Sequence, residues 1–228
     1  MEKKKAKQYL KKAWRFIWDD DSIWSWLVNV VLAFIIIKFI VYPVLGFLLG
    51  TSFPIVAVVS ESMEHRTTPL CADYSGNTCS NYDYRICGKA FEEKQKLDFD
   101  DYWKLCGDWY EENTDITKAD FEDYRFSNGF NKGDIMILYG KDYEDVKKGD
   151  TIVFQSTRPD PIIHRVIKTW KQRDKYYFQT KGDHNSNSHS FESTIPEEAY
   201  IGNAVLRIPY LGYIKIWFVG FLDIVGII

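Results

Sequence analysis

The chain has 228 residues, a formal net charge of -3 and a pI near 5.9. This length is enough for one domain with its own core plus smaller attachments. The charge balance argues against a nucleic-acid partner, because a phosphate-binding surface needs a concentration of Lys and Arg. Apolar residues concentrate near the two ends and charged residues fill the middle. This distribution predicts ends that contact lipid and a middle that folds in water.

A basic N-terminal segment, residues 1–22, precedes an apolar stretch, residues 23–50, in which Lys38 is the only charge. A bilayer core about 30 Å thick is crossed by about 20 helical residues, so this stretch is long enough to span it. It is too long for a cleaved signal peptide and lacks an A-x-A ending, which favours a permanent anchor over a leader or a buried core helix. The preceding Lys and Arg residues predict a cytoplasmic N-terminus and an extracytoplasmic remainder.

Six short segments beyond the anchor have strand character. Each is rich in Val, Ile, Tyr or Phe and is bounded by Gly, Pro, Asn or Asp, a pattern typical of β-strands. They predict a mostly β domain made of residues 51–65 and 129–212. The segments are Phe53–Val59, Asp134–Tyr139, Thr151–Gln155, Ile162–Thr169, Tyr176–Thr180 and Ala199–Arg207.

Residues 66–128 interrupt the β pattern and contain all four cysteines, Cys71, Cys79, Cys87 and Cys106. Outside the cytoplasm we expect two disulfides, whose pairing the sequence leaves open among three possibilities. The alternative, a zinc site, lacks the usual C-x-x-C pair. The second half of this insertion is acidic and has helical spacing. It predicts a partly helical, disulfide-stapled cap, or alternatively a docking surface for a partner or a precursor.

The C-terminal segment, residues 213–228, is apolar except for Lys215 and Asp223. An Asp inside a bilayer is costly, which disfavours a full span. We expect this segment to lie in the outer leaflet or to enter it partly, with a second span as the alternative.

Several fragments of the β domain stand in a fixed order after the anchor. Ser60-Glu61-Ser62-Met63 follows the first strand, and two Lys-Gly-Asp turns precede later strands. His164-Arg165-Val166 lies within an apolar strand, and Lys181-Gly182-Asp183 follows the next strand. Each fragment alone is weak, since Gly-Asp pairs are ordinary turn residues.

Together these fragments resemble type I signal peptidases, specifically the archaeal and endoplasmic-reticulum branch, over residues 53–63 and 131–212. The resemblance implies a signal-peptidase-like β domain on a transmembrane helix. It also implies a membrane-bound serine endopeptidase that cleaves signal peptides at small-residue sites on the outer membrane face. In the bacterial branch a lysine stands at the position of His164.

The residues themselves fit this chemistry. The Ser62 hydroxyl can attack an amide only if a base takes its proton, and the His164 imidazole, a group with a usual pKa near 6.5, suits that role. Strand alternation places Arg165 on the opposite face from His164. The backbone N–H of Ser62 and, by resemblance, the hydroxyl of Ser60 are the expected oxyanion donors. Met63 is expected to form a wall of the site or to contact lipid.

The third catalytic group remains open among three alternatives. The family has an aspartate in the Lys-Gly-Asp fragment, matched by Asp183, and usually another about six residues on, where this chain has His189. Asp183 is the first candidate to orient His164, and Glu192 is the second. A hydroxyl could instead complete a Ser–His dyad, the candidates being Ser186, Ser188 and Ser190.

The implied partners are precursors with signal peptides, the lipid bilayer and the secretion translocon. A precursor is expected to bind as an added β-strand over small apolar pockets. The expected location is the cell membrane, with a single span or with a membrane-associated C-terminus. The chemistry needs no metal and no cofactor. The main alternative is a catalytically inactive, membrane-anchored exterior binding module of the same fold, and another is a related processing protease with other substrates.

Overall fold

The structure, a computed structural model, describes residues 2–75 and 78–224. The chain divides into two units, Met1–Leu48 and Leu49–Ile228. The first unit is helical: α1 covers Glu2–Trp18 and α2 covers Ile23–Ile36. A π-helical turn, Ile37–Val41, then continues into α3, Tyr42–Leu49.

The run from α2 to α3 is one continuous helix, Ile23–Leu49, of 27 residues. At about 1.5 Å per residue it is about 40 Å long. Its most apolar window has a mean hydropathy of 2.5 and no buried residue. Within the described residues it is the one helix long and apolar enough to cross a membrane. It occupies the stretch for which the sequence predicts an anchor.

The second unit is mostly β, as the sequence predicts. Its larger sheet has seven strands in the order β1-β5-β10-β6-β7-β8-β9, and its smaller sheet has the order β2-β3-β4. Every pairing between these strands is antiparallel. The strands are β1 Ile55–Ala57, β2 Thr68–Ser75, β3 Thr78–Ile86, β4 Lys89–Phe91, β5 Ile135–Tyr139, β6 Thr151–Phe154, β7 Ile162–Gln172, β8 Lys175–Lys181, β9 Ile195–Pro196 and β10 Tyr200–Ile208.

The two parts of the predicted β domain join across the insertion. Strand β1, before the insertion, pairs with β5, after it, so that Ile55 lies opposite Ile137. Side chains alternate along β5, and Met136 and Leu138 are fully buried. They pack with Val58 and five other buried residues into the core beneath β1: Met63, Phe130, Val153, Ile163 and Ala204, with Val56 partly buried beside them.

The insertion combines a small sheet with two helices. Helix α4, Phe99–Asn113, begins after the N-cap Asp98, and α5, Lys118–Asp123, begins after the capping box of Thr117. The prediction of a partly helical insertion is therefore confirmed, and its first helix begins at Phe99, after β4 has ended at Phe91. The sheet β2-β3-β4 in the first half was not predicted.

The insertion packs against the β domain. The buried side chains of α4 and α5 form one cluster that also contains Ile167 of β7. Two disulfides, Cys71–Cys79 and Cys87–Cys106, confirm the expected disulfides and settle their pairing. All four cysteines are bonded, which leaves no thiolate for the alternative zinc site.

The apolar tail begins with α6, Tyr213–Ile224, while residues 225–228 of the predicted membrane-associated segment lie outside the described residues. The start of α6 is tied to the β domain, because Gly212 N donates to Gly133 O at 2.8 Å. The ring of Tyr213 lies where a side chain on Gly133 would stand. Large apolar side chains of α6 are exposed: Ile214, Trp217, Phe218 and Phe221.

Candidate active site

Ser62 lies in a turn that follows β1. The turn is closed by Glu64 N, which donates to Glu61 O at 3.1 Å. Strand β1 enters this turn in register with β5, since Val58 N donates to Asp134 O at 2.9 Å. The side chain of Ser62 is half-buried, whereas Ser60 is exposed. The turn therefore presents a hydroxyl at the rim of the core.

His164 lies in β7, opposite Ile152 of β6, and its side chain is buried. Its Nε2 lies 2.8 Å from the Oγ of Ser62, although 102 residues separate the two in the chain. Arg165 points to the other side of the strand, as alternation predicts, and bonds there to Asp183. The structure thus brings the two residues predicted as nucleophile and base within hydrogen-bonding distance.

Glu192 contacts the other nitrogen of the imidazole, Nδ1, through its Oε1. The same carboxylate accepts hydrogen bonds from Thr180 Oγ1 at 3.1 Å and from His189 N at 2.9 Å. Burial alone would raise the pKa of Glu192, but its hydrogen bond with His164 leads the interactions that hold this pKa below its usual value. An ionised Glu192 accepts a hydrogen bond from Nδ1–H, so Nε2 carries no proton and can accept a hydrogen bond from the Ser62 hydroxyl.

Asp183 does not contact His164, although it is the first candidate from the sequence for the group that orients this imidazole. It is fully buried and forms two hydrogen bonds with Arg165, at 2.9 and 2.7 Å. Its Oδ2 also lies 3.1 Å from Nε2 of His65. Although burial opposes ionisation, the charge of Arg165 keeps the pKa of Asp183 far below its usual range. The physical reason is strand alternation, which aims Arg165 and its carboxylate away from His164.

Of the two other predicted site residues, one lies beside the nucleophile and one does not. Ser60 Oγ is 3.1 Å from Ser62 Oγ, where a second hydroxyl can face the same reacting group. Met63 is 1% exposed and belongs to the core beneath β1. The expectation that Met63 forms a wall of the site or contacts lipid is therefore wrong. The turn directs the Met63 side chain into the core, where its Sδ accepts a hydrogen bond from Asp183 N at 3.4 Å.

A cavity of about 360 Å³ opens beside Ser62 and His164. One wall comes from the end of β1, with Ala57, Val59 and Ser60, and another from the start of β7, with Ile162 and Ile163. The lining also includes Arg158, Asn185 and Phe191, which were not predicted. Small and β-branched side chains on facing strands suit an extended peptide with small residues.

Thr180 and the backbone of His189 were also missed as partners of the Glu192 carboxylate. One sequence signal points to Glu192 itself, because it is the only carboxylate between Asp183 and Glu197. His189 stands at the family position of a carboxylate, and its ring instead stacks on Phe191 at 5.2 Å. None of the three serines named as alternatives, Ser186, Ser188 and Ser190, takes the place at Nδ1 that Glu192 occupies.

No family model matches the chain. Curated relatives are each named signal peptidase complex catalytic subunit SEC11. That of Metarhizium robertsii is 28% identical over 94 residues, which are 38% of this chain and 55% of the relative. That of Scheffersomyces stipitis is 33% identical over 95 residues, 38% of this chain and 56% of the relative. That of Plasmodium falciparum is 30% identical over 98 residues, 39% of this chain and 51% of the relative.

The chain thus spans about half the length of these curated relatives. The matched relatives are named as catalytic subunits of signal peptidase complexes, and the chain combines similarity to them with a mostly β domain behind an apolar N-terminal helix. These similarities confirm the resemblance of this chain to the archaeal and endoplasmic-reticulum branch of type I signal peptidases.

Proposed function

We propose that this chain is a membrane-bound serine endopeptidase that removes signal peptides from secreted precursors, with Ser62 as nucleophile and His164 as general base. The observation that carries the proposal is the 2.8 Å contact between Ser62 Oγ and His164 Nε2. Similarity to catalytic subunits of signal peptidase complexes supports the choice of substrate.

In the first half of the reaction, Ser62 Oγ attacks the scissile carbonyl carbon and its proton passes to His164 Nε2. The negative charge that develops on the carbonyl oxygen is stabilised by the Ser62 N–H and the Ser60 hydroxyl. The tetrahedral intermediate then collapses, the C–N bond breaks, and the leaving amine takes the proton from Nε2. The signal peptide is now an ester of Ser62.

In the second half, water attacks the ester carbonyl and gives its proton to Nε2. The second intermediate releases the signal peptide as a carboxylic acid, and Ser62 Oγ recovers the proton. Glu192 supports both halves, because an ionised carboxylate at Nδ1 stabilises the imidazolium and holds the ring in the tautomer that leaves Nε2 as acceptor. Asp183 has a positioning role, because its carboxylate forms an ion pair with Arg165.

The substrate, in this proposal, is an extended segment with small residues at the cut. It lies in the cavity between β1 and β7, and β1 is the edge strand of the larger sheet. The side chains of Val59 and Ile162 then face residues of the segment, whereas Ile163 points into the core beneath β1. Shallow pockets of this kind select alanine-sized side chains over large ones.

The membrane location follows from the helix Ile23–Leu49. We place it across the bilayer, with the basic segment before it in the cytoplasm and the β domain on the outer face. The exposed apolar side chains of α6 then meet the outer leaflet. The proposed partners are signal-peptide precursors, lipid and the secretion translocon.

The alternative of an inactive binding module depended on the missing carboxylate at position 189. Glu192 supplies a carboxylate to Nδ1, which favours the enzyme.

The decisive experiment incubates membranes containing the chain with a precursor and follows cleavage at the small-residue site. Ser62→Ala should lower the rate by several orders of magnitude. The matched control is Ser52→Ala, an exposed serine near the anchor, which should cut normally. Normal cutting by Ser62→Ala contradicts the proposal.

A further inference from the structure

The segment of residues 181–184 lies between Ser62 and the cysteine-containing insertion. On the side of the site, His184 N donates to the backbone O of Ser62 at 2.9 Å. Gly182 leaves no room for a side chain, since a Cβ would stand 2.8 Å from Ser62 O and 2.9 Å from His164 Nε2. The place of this segment therefore sets the place of Ser62 relative to His164.

The other side of the segment is bonded to the insertion. The hydroxyl of Tyr102, in α4, donates to Asp183 O at 2.9 Å, and that of Tyr110 donates to Asp183 Oδ1 at 3.3 Å. Cys87 N donates to His184 O at 2.9 Å. The disulfide Cys87–Cys106 joins this backbone donor to α4, so all three contacts connect the 181–184 segment to the same helix.

Lys181 adds a charged contact between the same segment and α4. Its side chain is fully buried, and its ammonium lies 5.0 Å from the ring of Trp109 and 4.8 Å from that of Tyr110. Nζ donates to Gly182 O at 3.0 Å. Burial lowers the pKa of Lys181 to about 8, and the nearby charges of Asp183 and Glu192 limit that drop. Two aromatic faces from α4 thus hold the cation that fixes the Gly182 peptide.

We infer that helix α4 is a positioning element of the active site, which holds the 181–184 segment against Ser62 through Tyr102, Tyr110 and the Cys87–Cys106 disulfide. The insertion then acts on the rate of the chemical step and has little effect on substrate affinity. This inference rests on the proposed function for its substrate assay.

The test compares two disulfide variants of the full chain in membranes. Cys87→Ser/Cys106→Ser should lower kcat for a precursor about tenfold or more, because small displacements of reacting groups are costly, and should leave KM within about twofold. The matched control, Cys71→Ser/Cys79→Ser, removes a disulfide that closes the β2–β3 hairpin onto itself. It should leave kcat within about twofold.

A loss of kcat that is equal in the two variants would overturn the inference, as would a full kcat in Cys87→Ser/Cys106→Ser. A change confined to KM would instead make the insertion a docking surface for precursors. If the serine variant fails to accumulate, Tyr102→Phe/Tyr110→Phe decides, because it removes only two hydroxyls. That variant should lose kcat at unchanged KM, and full activity would contradict the inference.

A second readout separates this inference from the proposed function. Ser62→Cys introduces the only free thiol, since all four native cysteines are bonded. The rate of its alkylation by iodoacetamide reports the contact with His164 without any precursor. Adding Tyr102→Phe/Tyr110→Phe should slow alkylation. If the wild-type chain cuts no precursor, the proposed function fails, while an unchanged alkylation rate in this variant contradicts the positioning role alone.

Discussion

The carboxylate of Glu192 contacts His164 at Nδ1, on the edge of the ring opposite Ser62. A short 3-10 turn, Ser190–Glu192, brings it there. His189, at the position where the family has a carboxylate, donates its backbone N–H to Glu192 instead. The carboxylate that contacts His164 therefore lies three residues further along the chain than the family position.

Glu192→Gln should lower kcat by about 10²- to 10⁴-fold with little change in KM. The amide can donate to Nδ1, which favours the tautomer whose Nε2 carries the proton and cannot accept one from Ser62. Steady-state cleavage of a precursor measures the effect. Glu198→Gln, an exposed carboxylate paired with Lys175, is the matched control and should behave like the wild type. An active Glu192→Gln chain would indicate a Ser–His dyad.

Asp183→Asn should destabilise the fold by about 3–5 kcal/mol at neutral pH, because it leaves the buried guanidinium of Arg165 without its counter-charge. The pKa of Asp183 is lowered in the folded chain. Its contribution to stability is thus complete above the unfolded pKa of about 4 and is lost as the pH falls from there towards the lower folded pKa.

Denaturant unfolding of the solubilised chain between about pH 3 and pH 8 measures this difference. The difference in the free energy of unfolding between the wild type and Asp183→Asn should stay constant above about pH 5 and become smaller below about pH 4. Asp174→Asn, at an exposed aspartate, is the control and should leave the free energy of unfolding unchanged. If this difference does not become smaller in acid, the ion pair does not stabilise the fold.

Gly182→Ala should lower kcat by about 10²-fold, since the added methyl group displaces Ser62, His164 or both from their contact. Gly220→Ala is the matched control, because nothing lies within 4 Å of a Cβ at that helical position. Cleavage assays on the two variants at equal membrane levels make the comparison. Wild-type activity in Gly182→Ala would mean that the segment shifts without affecting the site.

Ser60→Ala should lower kcat by about 10²- to 10³-fold, the usual cost of removing one oxyanion donor. Ser60→Thr retains a hydroxyl at this exposed position and should recover part of the rate. A pre-steady-state measurement of the acylation step gives the clearest comparison, because the hydroxyl acts on the intermediate. A wild-type rate of acylation in Ser60→Ala would assign the oxyanion contact to backbone donors alone.

The β-strands and the apolar helix were predictable because their signals are local. Each of the six predicted strands overlaps an observed one, for example Ile162–Thr169 with β7, Ile162–Gln172. Alternation and turn residues act within a few residues of each other, and so the sequence carries them. The strands β2 and β3 were missed because their sequences lack the regular alternation of apolar and polar residues that predicts a half-buried strand.

The sequence by itself determined six strands of the larger sheet, the anchor stretch and the choice of Ser62 and His164 as candidates. Only the tertiary structure decided which carboxylate meets His164, because Asp183 and Glu192 both follow β8 and only the path of the backbone selects between them. It also decided the disulfide pairs and the inward direction of Met63. These outcomes depend on contacts between distant segments, which local patterns do not encode.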